Sequence, residues 1–173
     1  ISTNKYGEFA FSTPLNSNFS ISISSKKYDY FYNEYFLKDD ILNKTINIVL
    51  NRLKIGNKIN LDNIYYDFDD YSLKESSLIE LKRFANYLIL NSSLIIEIGG
   101  HTDNIGSAQY NYNLSRKRAE SVYRQLILFG VDSHQLTFKG YGYDYPLGLD
   151  SSEEGRLINR RTEVIIKGYE YKK

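Results

Sequence analysis

Asp103 and Arg118 are the side chains of this sequence whose types and spacing best suit joint chemistry. Asp103 lies in Gly100-His101-Thr102-Asp103-Asn104-Ile105-Gly106, a tight segment expected to end a strand, where α/β folds hold ligands. Asn111, Leu114 and Arg118 follow at i, i+3 and i+7, which places them on one stripe of a helix. Fifteen positions separate Asp103 from Arg118, a gap that a loop and the first helical turns can close onto one cleft. A carboxylate takes an ammonium and a planar guanidinium takes a carboxylate through two parallel bonds, so the pair suits a zwitterionic group. The plainer alternative is an internal ion pair that tacks loop to helix, worth only ~0–1 kcal/mol if exposed.

Two further constellations invite chemistry. Asp67, Asp69 and Asp70 at an expected strand end have the look of a magnesium-dependent phosphotransferase, since clustered carboxylates bind hard cations and supply nucleophiles. Against it, Asp70-Tyr71 stands where a Thr or Val is expected after the second aspartate, and no glycine-rich phosphate cradle is present. His101 and His134 are the only histidines and are far apart, so they read as a loop and a surface histidine and not as a metal pair. No Gly-x-Ser-x-Gly elbow accompanies the serines. With no cysteine, disulfides, thiolate metal sites and cysteine nucleophiles are all excluded. The expectation is a binding protein, not an enzyme, with no cofactor and no metal.

The elements that must position these residues change character along the chain. Up to about Leu53 the texture is β: Glu8 to Ser12, Phe19 to Ser24, Tyr28 to Phe36 and Thr45 to Leu50 are short aromatic and Ile-rich runs. Alternation in Phe19-Ser20-Ile21-Ser22-Ile23 puts the apolar three on one face. The Gly-Asn-Lys at 56 to 58 marks a joint, dividing a β-rich segment at 1–55 from a second domain at 56–173.

There, Leu61 to Phe68 is an expected strand. Ser72-Leu73-Lys74-Glu75 has the form of a capping box, followed by an apolar stripe of Leu78, Leu81, Ala85 and Leu88 to about Leu90. Leu94 to Gly99 is a strand. A helix from about Ala108 buries Ala119, Val122, Leu126 and Phe129, and Gly130 sits where its C-terminal cap needs positive φ. Gln135 to Lys139 and Arg161 to Lys167 complete a β-α-β-α-β-β order: an α+β sandwich with two helices on one face of a mixed sheet, preceded by a small all-β segment.

Composition bounds the partners. The 173 residues carry 22 basic and 21 acidic side chains, a net charge of +1, which gives no long-range field to draw the chain onto nucleic acid. No run of eighteen apolar residues exists. The chain opens without methionine and in mid-pattern, as a fragment or processed form does, so membrane contact is expected only through an anchor upstream of Ile1.

Several ordered motifs resemble the OmpA-like C-terminal domain, the family that includes the peptidoglycan-associated lipoprotein and the stator protein MotB. They are Asn63-Ile64-Tyr65-Tyr66-Asp67-Phe68-Asp69, the Gly100 to Gly106 segment, Tyr110-Asn111, Leu114-Ser115-x-x-Arg118-Ala119, Gly130-Val131, Gly140-Tyr141-Gly142, Pro146 and Gly155-Arg156-x-x-Asn159-Arg160-Arg161-x-Glu163. The resemblance covers about residues 58 to 168. It implies noncovalent binding of peptidoglycan through the diaminopimelate of its stem peptide, in the periplasm and in association with the outer membrane. It further implies that Asp103 and Arg118 hold the free ammonium and carboxylate of diaminopimelate, while Asn111, Leu114, Thr102, Phe68 and Asp69 line the pocket. Arg160 and Arg161 match the family's Asn-Arg-Arg signature, where a structural role is expected. The segment from Thr3 to Phe11, with Ile21 to Ile23 and Tyr28, is similar to the later strands of a carboxypeptidase regulatory-like module, as found before this domain in outer-membrane proteins of the Bacteroidetes and in a type IX secretion component. Other outer-membrane or periplasmic proteins are expected partners, and an interaction module with a vestigial wall pocket is the alternative.

Overall fold

A computed structural model describes residues 1–38, 45–61, 64, 66 and 70–170. Its strands and helices are β1 (Ser17–Ile23), β2 (Phe31–Leu37), β3 (Lys58–Asn60), α1 (Glu75–Leu90), β4 (Leu94–Gly100), α2 (Ala108–Leu128), β5 (Leu136–Gly140), α3 (Glu153–Asn159) and β6 (Thr162–Tyr169). β1 and β2 form an antiparallel two-stranded sheet. The other strands form a mixed sheet in the order β3-β6-β4-β5, in which only β4 and β5 run parallel. The α+β architecture therefore matches expectation.

One face of the mixed sheet carries the core. Leu94, Ile96 and Ile98 of β4 alternate inward and meet Val164 and Ile166 of β6. Leu81, Phe84, Ala85 and Leu88 of α1 and Ala119, Val122 and Leu126 of α2 close over them. Both long helices thus cover the same face. Phe84 is fully buried, and its truncation to Ala should cost ~3–5 kcal/mol. Phe84 and Tyr87 also extend the expected stripe of α1 sideways: with Tyr30 they form an aromatic cluster with ring centroids 5.3 to 5.7 Å apart. Tyr30 donates its hydroxyl to Glu80, and Tyr87 donates to Tyr28 O at 2.8 Å, so the N-terminal segment lies against α1.

Local chemistry departs from the sequence reading in four places. The strand expected over Leu61 to Phe68 pairs earlier, at Lys58–Asn60; of that run, Leu61 and Ile64 are in no strand and Tyr66 makes one isolated bridge to Leu73. The capping box does not form, because Ser72 N and Oγ both donate to Asp70 Oδ1, at 2.9 and 3.0 Å, and α1 starts after Lys74 without a side-chain cap. Residues 8–12 and 45–50 are not strands. The seven-residue α3, capped by Ser152 accepting from Gly155 N at 3.0 Å, is an additional helix.

The C-terminal end of α2 follows expectation. Gly130 has φ +95°, its N–H bonds Ile127 O at 2.9 Å, and Val131 N bonds Leu126 O at 3.1 Å, the paired closure that satisfies the last carbonyls. α2 is also pressed unusually close to the sheet. A Cβ on Gly100 would lie 2.1 Å from Ser115 O, and one on Gly140 would lie 2.5 Å from Arg116 N. Glycine at the ends of β4 and β5 lets the middle of α2 touch strand backbone. That contact fixes Asn111 and Arg118 relative to the loop that leaves β4.

Candidate functional site

The loop after β4 is built to present Asp103. His101 N bonds Arg161 O at 3.0 Å and Thr102 N bonds Gly142 O at 2.9 Å, so sheet-like pairing continues to the residue before Asp103. Asp103 Oδ1 then accepts from Ile105 N at 3.1 Å, an Asx turn that reverses the chain. Asn111, 2% exposed, donates Nδ2 to Ile105 O at 2.9 Å and ties the reversed loop to the first turn of α2. That turn is capped by Ser107, which accepts from Tyr110 N at 3.2 Å. Thr102 is buried, and its Oγ1 makes no hydrogen bond among the described residues.

Arg118 arrives from the other side. Its guanidinium stacks over Tyr66, 4.9 Å from the ring centroid, and Nε donates to Asp70 O at 3.0 Å. Burial depresses its pKa and Arg160 adds to the depression, while Tyr66, Tyr110 and Asp103 oppose it. A guanidinium stays charged under such a depression, so burial here makes it a strongly attracting cation with little water around it. Burial also pushes the Tyr66 phenol up to about 12, so it stays neutral.

Asp103 and Arg118 lie within electrostatic reach of each other, yet Asp103's ion pair is with Arg160, whose Nη1 donates to Asp103 Oδ2 at 2.7 Å. Arg160 also reaches Glu153 Oε1 at 2.7 Å. This is the residue whose part in the site the sequence did not give: its only signal was the Asn159-Arg160-Arg161 run. Arg161 fits the structural expectation, donating to Glu163 Oε2 from Nε and Nη2 at 3.3 and 3.0 Å and to Tyr145 O at 3.1 Å. Leu114 is half-buried on the same stripe of α2 as Asn111 and Arg118. Phe68 and Asp69, expected in the pocket, lie outside the described residues, as does Asp67.

The other sequence candidates resolve differently. Asp70 spends its carboxylate on Ser72 N, Ser72 Oγ and Tyr71 N, and these bonds, Ser72 first, hold its pKa below the usual range. Among the described residues, no group of three or more His, Asp or Glu side chains is placed to hold a metal ion. His134 is exposed as expected, 3.0 Å from Asp132 Oδ1. His101 is in the loop, as expected, but buried: it is 2% exposed, stacked on Tyr141 with centroids 5.1 Å apart, and its Nε2 lies 3.3 Å from Glu163 Oε1 outside hydrogen-bonding geometry. Burial lowers its pKa, which keeps the ring neutral.

Residues 65–160 match the OmpA family. The peptidoglycan-associated lipoprotein of Buchnera aphidicola subsp. Baizongia pistaciae is 30% identical over 164 residues, which span 89% of this chain and 92% of that protein. Outer membrane porin F of Pseudomonas fluorescens is 34% identical over 110 residues, 64% of this chain but only 33% of the porin's length. Among solved structures, the peptidoglycan-associated lipoprotein from Burkholderia pseudomallei superposes with a TM-score of 0.57 at 36% identity, covering 60% of this chain and 88% of that one.

Proposed function

Because the chain belongs to the OmpA family, we propose that it is a periplasmic, outer-membrane-associated module that grips peptidoglycan without cleaving it. It is a binding module and not an enzyme. The observation that carries the reading is that Asp103 and Arg118, supplied by a strand-end loop and by α2, converge within electrostatic reach without being consumed on each other. In this reading Asp103 accepts the ammonium of diaminopimelate and Arg118 forks onto its carboxylate through the nitrogens not used on Asp70 O. Asn111 holds the loop that aims Asp103, Thr102 Oγ1 offers a buried hydroxyl to the ligand, and Leu114 supplies apolar contact. Phe68 and Asp69, outside the described residues, join this reading as ligand contacts on the family resemblance alone.

Co-sedimentation with purified sacculi tests this. Asp103→Ala should remove binding while keeping the circular dichroism of the fold, with a lowered Tm because Ile105 N–H and Arg160 lose their partner; retained binding would count against the assignment. Truncating one member of a buried charge pair costs ~2–5 kcal/mol, and at ~1.4 kcal/mol per decade that is at least tenfold in affinity.

The wider reading is an anchor that tethers an outer-membrane or periplasmic assembly, a type IX secretion component among the candidates, to the wall. Residues 1–55 are then part of a carboxypeptidase regulatory-like module, 56–173 are the wall-binding domain, and an upstream anchor supplies any membrane contact. A second reading, docking to another envelope protein, is favoured by Leu147, Leu157 and Ile158. All three are more than half exposed, and they line one shallow hollow with Arg160.

A further inference from the structure

The antiparallel pair β1–β2 and the residues that join its strands lie against α1, well away from Asp103 and Arg118. Several of their contacts are neutral. Tyr30 packs on Phe84 and Tyr87, Lys27 N–H donates to Asn91 Oδ1 at 2.8 Å, and Asn91 Nδ2 donates back to Ser25 O at 3.5 Å. Glu80 is the exception. It is 4% exposed, facing the 8% exposed Tyr30, whose hydroxyl donates to its Oε1. Its Oε2 is buried and makes no hydrogen bond among the described residues. Arg83 Nη1 stands 3.5 Å from that oxygen and donates instead to Ser20 Oγ of β1, at 3.2 Å.

An ionised carboxylate is poorly served in this position. One phenol and one partly exposed guanidinium replace the water it would have in solution, and a buried charge without full pairing is costly. The titratable and charged groups that face Glu80 are Arg83 on its own helix, Tyr30 ahead of β2, and Tyr32 and Glu34 on β2; β1 brings the hydroxyls of Ser20 and Ser22. Glu34, which accepts from the Tyr32 hydroxyl at 2.8 Å, adds a second negative charge to the same interface. Two carboxylates thus face one guanidinium. Burial, the largest influence, raises the Glu80 pKa and Glu34 adds to the rise, against Tyr30 and Arg83.

We propose that Glu80 is a proton-controlled latch for the N-terminal hairpin: while its carboxyl carries a proton the hairpin stays on α1, and when it ionises the hairpin lifts away. Protonation removes the charge and keeps the Tyr30 bond, since Oε1 still accepts. Lifting the hairpin lets water reach the ionised carboxylate without disturbing the mixed sheet or α2. The chain is tied down just beyond the part that moves, because Gly56, with φ +88°, bonds its N–H to Ile166 O of β6 at 2.8 Å. Docking raises the Glu80 pKa, so the stabilisation it gives is complete below the free value of 4.5 and is lost as pH rises from there toward the docked value. That dependence is opposite in sign to the one Glu163 and His101 impose on the rest of the domain, where acid destabilises. In mild acid the hairpin therefore travels with the domain, and at higher pH it swings clear.

Hydrogen exchange followed residue by residue in the 173-residue chain, with rates corrected for the intrinsic effect of pH, tests the latch. Lys27 N–H reports docking, because its acceptor is Asn91 at the end of α1, and Ile98 N–H in β4 reports the domain. From pH 5 to pH 8 the protection of Lys27 should fall several-fold while that of Ile98 holds or rises. Glu80→Gln keeps an acceptor for Tyr30 without a charge and should make Lys27 protection independent of pH. Glu34→Gln should make the fall shallower and Arg83→Gln should make it steeper, since one removes a repelling charge and the other an attracting one. A merely structural role would lower protection equally at every pH. The two opposite slopes decide the matter even where Glu80→Gln fails to fold. Lys27 protection that is flat or rises with pH in the wild type overturns the latch, as does a Glu80→Gln profile as steep as that of the wild type.

Discussion

Arg160 Nη1 lies 2.7 Å from Asp103 Oδ2, so the acidic residue of the site is paired with a partner 57 positions along the chain and not with Arg118 of α2. Arg118 is left with a carbonyl and an aromatic ring as its contacts among the described residues. The two halves of the site are thus held apart by separate structural partners: Asp103 by the Asx turn and Arg160, Arg118 by Asp70 O and Tyr66. Such a division keeps a carboxylate and a guanidinium from collapsing onto each other in the absence of ligand, and it preorganises both.

Arg118→Lys should bind sacculi at least tenfold less tightly than wild type. An ammonium is a point charge that cannot keep a bond to Asp70 O and fork onto a carboxylate at once, and it stacks less well on Tyr66. Retention of wild-type affinity in a co-sedimentation series would remove the fork from the account.

Gly140→Ala should damage stability and binding together. Its Cβ would sit 2.5 Å from Arg116 N and 2.7 Å from Ser115 Oγ, so α2 must move outward and carry Asn111 and Arg118 with it. Overpacking of this kind costs ~1–3 kcal/mol, visible as a lowered Tm, and the affinity for sacculi should fall as well. An unchanged melting curve would show that α2 tolerates displacement.

Acid should weaken the fold through Glu163. Burial opposes its charge, but contacts with His101, Lys58 and Arg161 outweigh burial and hold it at about 2. The folded pKa is depressed, so the stabilisation is present above the unfolded value of 4.5 and is lost as pH falls from there toward 2. His101 adds in the same direction, because its lowered pKa makes the folded state refuse a proton that the unfolded chain accepts below 6.5. Chemical denaturation between pH 7 and pH 3 should show stability falling with acid, and Glu163→Gln should flatten the lower part of that slope. A Glu163→Gln profile parallel to wild type would mean that Glu163 titrates normally.

Much of this was legible before the structure. Gly130 declared a helix end because a closure with positive φ favours glycine, and the short Ile-rich run from Leu94 to Gly99 declared a strand. Asp103 and Arg118 were readable because one loop and a few helical turns connect them. What the sequence hid is long-range or competitive. The Arg160–Asp103 pair joins elements whose approach depends on β6 and β4 pairing with a specific register. The capping box failed because Asp70, two residues upstream, competes for Ser72 more effectively than the helix terminus does. Burial of His101 follows from its place at the sheet end under Tyr141, which no local pattern encodes. α3 escaped because seven residues are too few for a periodic stripe, although Ser152 and Gly155 marked its start.

The most direct test of the account is the affinity of wild type and Asp103→Asn for the meso-diaminopimelate tripeptide, measured by calorimetry at one salt concentration. Asparagine keeps an oxygen for Ile105 N–H and leaves Arg160 its bond to Glu153, so the loop should hold its shape. The account predicts saturable binding by wild type and a loss of at least tenfold in the variant with its circular dichroism kept. Equal affinities in the two proteins would contradict it.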